Sequence, residues 1–167
     1  MKSKKTGVFL LLPLAALAAL GVYSFSSSPP HQAQGVIMHI HARLEVFVDG
    51  QPLIIPANIG IDSSVWKDHS LERYGMPMPG MPEMPYMSPL HTHDTSGTIH
   101  IESTINRNHT VGEFFDVWGV PFNETCIFDK CSQSGSIIML VNGIRSYEFE
   151  NQLLGDGEII QIEFRGG

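Results

Sequence analysis

The chain has 167 residues and a formal charge of −7, with 17 acidic side chains against 10 basic ones. Three of the basic residues, Lys2, Lys4 and Lys5, stand at its start, so the remainder is more acidic still and would repel a phosphate backbone. Nucleic acid is thereby excluded as an expected partner, and cations are favoured.

The lysines lead into an apolar run from Val8 to Phe25, interrupted only by Pro13, Gly21, Tyr23 and Ser24. This is the pattern of a signal peptide or signal anchor over residues 1–25. Its length is close to the roughly 20 residues that cross a hydrocarbon core, and no clear Ala-x-Ala follows Ala19-Leu20-Gly21. That favours an anchor with its basic end inside. The rest of the chain is expected outside the cytoplasm, membrane-anchored or secreted. Residues 26–35, opening with Ser26-Ser27-Ser28-Pro29-Pro30, read as a linker, and residues 36–167 as a single β-rich domain.

From Val36 to Val48 the residues Met38, Ile40, Ala42, Leu44, Val46 and Val48 alternate with His39, His41, Arg43, Glu45 and Phe47, the period of a half-buried strand. Asp49-Gly50 supplies a type I′ turn into a second strand, Gln51 to Ile55. After a long Met- and Pro-rich loop at about 63–90, Thr98 to Ser103 alternates again. Thr110-Val111-Gly112-Glu113 matches a capping box, with Val111, Phe114, Phe115 and Trp118 at helical spacing and Gly119 as terminator. We expect this aromatic stripe to pack on the sheet. A second hairpin runs from Ser136 through Asn142-Gly143 to Phe149, and Asp156-Gly157 introduces a last strand, Glu158 to Phe164. The expected class is α+β, a mainly antiparallel sheet with one packed helix.

Cys126 and Cys131 are expected to form a local disulfide, which persists in an extracytoplasmic setting; a Cys-x4-Cys metal half-site is the alternative. Asn108-His109-Thr110 and Asn123-Glu124-Thr125 are glycosylation sequons.

Five of the eight histidines fall into three phrases, His39-Ile40-His41, His91-Thr92-His93-Asp94 and His100-Ile101-Glu102. Residues i and i+2 of a strand share a face. His39 and His41 therefore leave one face of their strand, as do His100 and Glu102, each opposite the aliphatic face. If the two strands are neighbours, and His91 and His93 reach over from the preceding loop, five imidazoles meet. Such a set suits zinc or copper. Asp94 and Glu102 would orient the imidazoles rather than bind the ion. His31, His69 and His109 are read as surface residues.

Within the loop, Met78, Met81, Met84 and Met87 recur every third residue. Proline density favours polyproline II, which would line the thioethers along one side but hold successive sulfurs about 9 Å apart. Only a bent loop, with Gly80 as one place to bend, would gather them. Thioethers select Cu(I), and the loop leads directly into His91, so these methionines are candidate Cu(I) collectors.

Two resemblances accompany these readings. From Gly135 onward, Val141-Asn142-Gly143, Leu153-Leu154-Gly155-Asp156-Gly157-Glu158-Ile159-Ile160 and Gly166-Gly167 resemble the β-grasp sulfur-carrier and ubiquitin-like proteins, which implies a β-grasp-like fold. An activated Gly-Gly tail would need a cytoplasmic adenylating partner, which the export segment opposes. The phrases His39-Ile40-His41, Leu90-His91-Thr92-His93-Asp94-Thr95-Ser96-Gly97, Ile99-His100-Ile101-Glu102-Ser103 and Phe114-Phe115-Asp116-Val117-Trp118-Gly119 resemble a family of uncharacterised exported proteins of archaea and bacteria. That resemblance implies no activity.

The expected function is an extracytoplasmic metal-binding protein, copper ahead of zinc, that captures, buffers or delivers the ion to a membrane or cell-surface protein. A histidine-ligated metalloenzyme is the alternative, hydrolytic or copper redox, with Glu102 or Asp94 as base. A third is an accessory domain of a membrane complex.

Overall fold

The computed structural model describes residues 35–80, 82 and 85–167. The apolar run, the linker up to Gln34, His31, Met81 and Met84 lie outside the described residues. No helix among the described residues is long and apolar enough to cross a membrane.

The alternating segment forms β1, Met38–Val48. Asp49 and Gly50, at φ 50° and 75°, make the tight turn into β2, Gln51–Leu53. This strand ends earlier than its sequence suggests, because Ile55 turns into the core and Pro56 lacks the donor a ladder needs. There follow β3 (Leu90–His91), β4 (Thr98–Ser103), the helix α1 (Val111–Trp118), β5 (Cys126–Ile127), β6 (Lys130–Cys131), β7 (Gly135–Val141), β8 (Ile144–Ser146) and β9 (Ile159–Gly166). The strand after Asn142-Gly143 stops at Ser146, where the chain leaves the sheet and a 3-10 turn, Phe149–Asn151, buries Phe149.

The large sheet has the order β3-β4-β1-β9-β7-β8, with β2 paired to the far end of β1. Its pairings are antiparallel except the central one, where β1 and β9 run parallel with Leu44 opposite Ile160 and Val46 opposite Ile162. A parallel pair needs a long crossover, and here the whole intervening chain supplies it.

One face of the sheet is aliphatic. Ala42, Leu44 and Val46 of β1, Ile99 and Ile101 of β4, Ile160, Ile162 and Phe164 of β9, and Ile137 and Met139 of β7 form one core with Val111, Phe114, Phe115 and Val117 of α1. The helix carries the expected capping box. Thr110 Oγ1 accepts from the Glu113 amide at 3.2 Å, the Glu113 carboxylate accepts from the Thr110 amide at 3.1 Å, and Gly119 closes the helix at φ 80°. The long connection between β2 and β3 is held by Ile55, Ile59, Trp66 and Leu71, all buried in this core. Cys126 and Cys131 face one another across β5 and β6 and are joined by a disulfide.

The helix therefore claims one face of the sheet. Alternation sends His39, His41, His100 and Glu102 to the other.

Candidate metal centre

Strand pairing positions the histidines. β1 and β4 pair with His39 opposite Glu102 and His41 opposite His100. His91 does not sit in a loop, as its sequence suggests, but on β3, directly opposite His100. A two-residue strand leaves no periodicity to read. One cross-strand row thus runs His41, His100, His91, with neighbouring strands about 4.8 Å apart. Ring centroids are 4.5 Å apart for His41 and His100, 5.4 Å for His91 and His100, and 4.5 Å for His93 and His100.

The ligand nitrogens fall into two sets. Those of His39, His41 and His100 lie within 4.8 Å of one another, and so do those of His91, His93 and His100. The five candidate histidines are thus brought together, His39, His41, His91 and His100 from one sheet face and His93 from the bend after β3.

His91 is fully buried. The cover is the turn around Gly60, whose φ of 72° takes it into the left-handed region and whose Cβ, if it had one, would lie 2.5 Å from the Leu90 carbonyl oxygen and 2.8 Å from Ser88 Cβ. Only a residue without a side chain packs there. Thr92 fastens the same turn, its amide donating to the Ile59 carbonyl and its hydroxyl accepting from the Ile59 amide. His91 Nδ1 lies 2.9 Å from the Ser88 carbonyl oxygen. A carbonyl only accepts, so Nδ1 carries the proton and Nε2 the lone pair. That Nε2 is buried without a hydrogen-bond partner among the described residues, and so is His100 Nδ1.

Burial dominates the electrostatics. It pushes the His91 imidazole down to about 3, the Ser88 carbonyl opposing and the neighbouring His93, His100 and His39 adding to the effect. His100 is lowered for the same first reason, with repulsion from His93 and His41 next and Glu102 opposing. Both rings are neutral at physiological pH, the form that binds metal ions.

Glu102 lies beside two of the imidazoles. Its Oε1 lies 3.2 Å from His39 Nε2 and 3.9 Å from His100 Nδ1. Asp94 instead accepts from the Ser96 amide at 2.8 Å, which ties it to the turn before β4. Asp156 has a part that the sequence did not signal. It accepts from the His41 amide at 3.0 Å while the Gly157 amide donates to the His41 carbonyl, fixing the backbone of β1 at the site. The Ser88 carbonyl was equally illegible, since any residue supplies one.

The methionine segment is a hairpin rather than a polyproline rod. Met78 N donates to Pro85 O and Met87 N to Met76 O, with Pro77 and Tyr86 bridged and Gly80 at φ 90° in the turn. The backbone donors of Met78 and Met87 pair across the stem, which polyproline II leaves unpaired. Met78 and Met87 are half-buried on the described arms, and Met87 enters β3 through Ser88 and Pro89.

His69 is half-exposed and stacks on Trp66 at 4.1 Å, as a surface residue can. His109 is not on the surface. It is fully buried, with Nδ1 3.2 Å from Glu113 Oε2, and Glu113 also binds Arg107. The sequon around it hid a residue that turns inward to brace the helix cap.

Comparison with protein-family models, curated proteins and solved structures finds no match for this chain.

Proposed function

We propose that this chain is an extracytoplasmic metal-binding protein, with copper preferred over zinc, that captures, buffers or delivers its ion. The observation that carries this reading is His91. A buried imidazole nitrogen with its lone pair free and no hydrogen bond costs the fold about 1–3 kcal/mol. A metal ion recovers that cost, and His93 and His100 stand close enough to complete the coordination sphere. The second nitrogen of His91 is already fixed on a backbone carbonyl, the usual arrangement for a metal-bound histidine.

Copper is preferred because Met78 and Met87, whose soft thioethers suit Cu(I), lie on a hairpin whose second arm leads along the chain into β3 and His91. An extracytoplasmic setting follows from the Val8–Phe25 run read as a signal peptide or anchor, and the Cys126–Cys131 disulfide agrees with it. The receiving partner would then be a membrane or cell-surface protein. We also infer a β-grasp-like fold. Its support is the strand order around a central parallel pair of first and last strands, with the helix inserted between β4 and β7.

Elemental analysis of the purified full-length chain tests the reading. One Cu or Zn per chain is expected, nitrogen-dominated in X-ray absorption. After passage over a chelating resin, the His91→Ala/His93→Ala variant should lose that ion while the wild type keeps it and the variant's circular dichroism is retained. Unchanged metal content in the variant would refute the site.

A further inference from the structure

The five imidazoles form two sets of three, and His100 belongs to both. Sheet register is the cause. His100 occupies the middle of the row with His41 on one side and His91 on the other, and each of these brings its own neighbour, His39 or His93. The settings differ. In the outer set the His39 side chain is 53% exposed and its Nε2 lies 3.2 Å from both Glu102 Oε1 and His41 Nε2. In the inner set His91 is fully buried and held by the Ser88 carbonyl. A neutral imidazole has one lone pair. His100 therefore serves one set at a time, unless it loses its second proton and bridges two ions.

Resting on the metal-site reading, we propose that the five histidines form two overlapping sites, an outer loading position and an inner holding position, which share His100 and pass one ion between them. The step is a ligand exchange. His39 and His41 release the ion, His91 and His93 donate their lone pairs to it, and His100 stays bound throughout. Each departing imidazole is replaced by another, so no electron is transferred. His91 Nε2 needs no deprotonation, because Nδ1 carries the ring's proton. Glu102, closest to His39 of the outer set at 3.2 Å and 3.9 Å from the shared His100, attracts a cation to the loading position and keeps the emptied His39 in place. The acidic chain adds a long-range attraction in the same sense.

The test uses Cu2+ alone, added to the full-length chain after chelator treatment, with stoichiometry and nitrogen hyperfine structure read by electron paramagnetic resonance and loading by stopped-flow quenching of tryptophan. The wild type should bind one Cu2+. The His39→Ala/His41→Ala variant should also bind one, with affinity within about threefold of wild type but loading slowed by about tenfold or more. The His91→Ala/His93→Ala variant should bind one weakly, with affinity reduced by about 100-fold, and release it quickly to chelator. His93 is exposed, so His93→Ala alone gives the same direction where the double variant fails to fold. Two Cu2+ per wild-type chain with a spin-coupled signal would overturn the exclusive sharing in favour of a bridging imidazolate. Equal affinity losses in the two pair variants would overturn it in favour of one undivided site. Failure of the wild type to bind any Cu2+ or Zn2+ would overturn the metal reading itself, and the exchange with it.

Discussion

At the scale of the residue, His91 couples the site to acid stability. Its imidazole is held down to about 3 by burial, whereas in the unfolded chain it titrates near 6.5. Between those values the unfolded state binds more protons, so stability of the metal-free domain falls as pH falls, by up to about 1.4 kcal/mol per pH unit. Above about 6.5 the contribution is complete and constant. Glu113 acts in a lower window. Burial raises it, but hydrogen bonds from His109 and Arg107 and from the Thr110 amide outweigh that and bring it to about 2, so its contribution is lost only as pH falls below its ordinary value of 4.5. His91→Asn keeps a donor for the Ser88 carbonyl and removes the titration. Its urea midpoint should decline less steeply than that of the wild type between about pH 6.5 and 5, with chelator present throughout. Identical slopes would show that His91 is not the buried group responsible.

At the scale of the element, the methionine hairpin is separable from the sheet. Gly75 packs so closely on the Met87 carbonyl that a Cβ would overlap it, and Met87 N donates to Met76 O at 2.9 Å, so the two ends of the hairpin already meet. Excision of residues 76–87 should leave the fold and zinc affinity unchanged while Cu(I) affinity, measured by competition with a chromogenic chelator, drops by about tenfold or more. Equal Cu(I) affinity with and without the hairpin would remove the collector role. Sequence legibility also divides by element. β1, β4 and α1 could be read because each carries a full period of alternation or a complete capping box, and the face of His39, His41, His100 and Glu102 followed from β1 and β4 alone. β3 is two residues long, and its place opposite His100 is set by Gly60 and the Ile59–Thr92 hydrogen bonds, which no local pattern encodes. The parallel β1–β9 pair and the inward turn of His109 are likewise tertiary outcomes, decided by which strands share the core and by the Glu113 carboxylate waiting at the helix cap.

At the scale of the whole molecule, an ion at the proposed metal site and the disulfide would brace different parts of the domain. The histidines join β1, β4 and β3, so a bound ion ties the edge of the large sheet to its centre. The Cys126–Cys131 bond closes a separate two-stranded ribbon. An ion that binds only the folded state, at 100 times its dissociation constant, stabilises by about 2.7 kcal/mol. A disulfide closing so short a loop contributes about 2 kcal/mol through the unfolded chain. Groups with no shared partner add. Calorimetry should therefore show the same metal-dependent rise in Tm, on the order of 10 °C, in the wild type and in the Cys126→Ser/Cys131→Ser variant, with the variant's whole curve displaced downward. If the metal-dependent rise disappears with the disulfide, the cysteines belong to the metal centre after all, as a thiolate half-site would require. If it persists undiminished, the ion is held by imidazoles on the large sheet, and the ribbon serves only to brace the chain between α1 and β7.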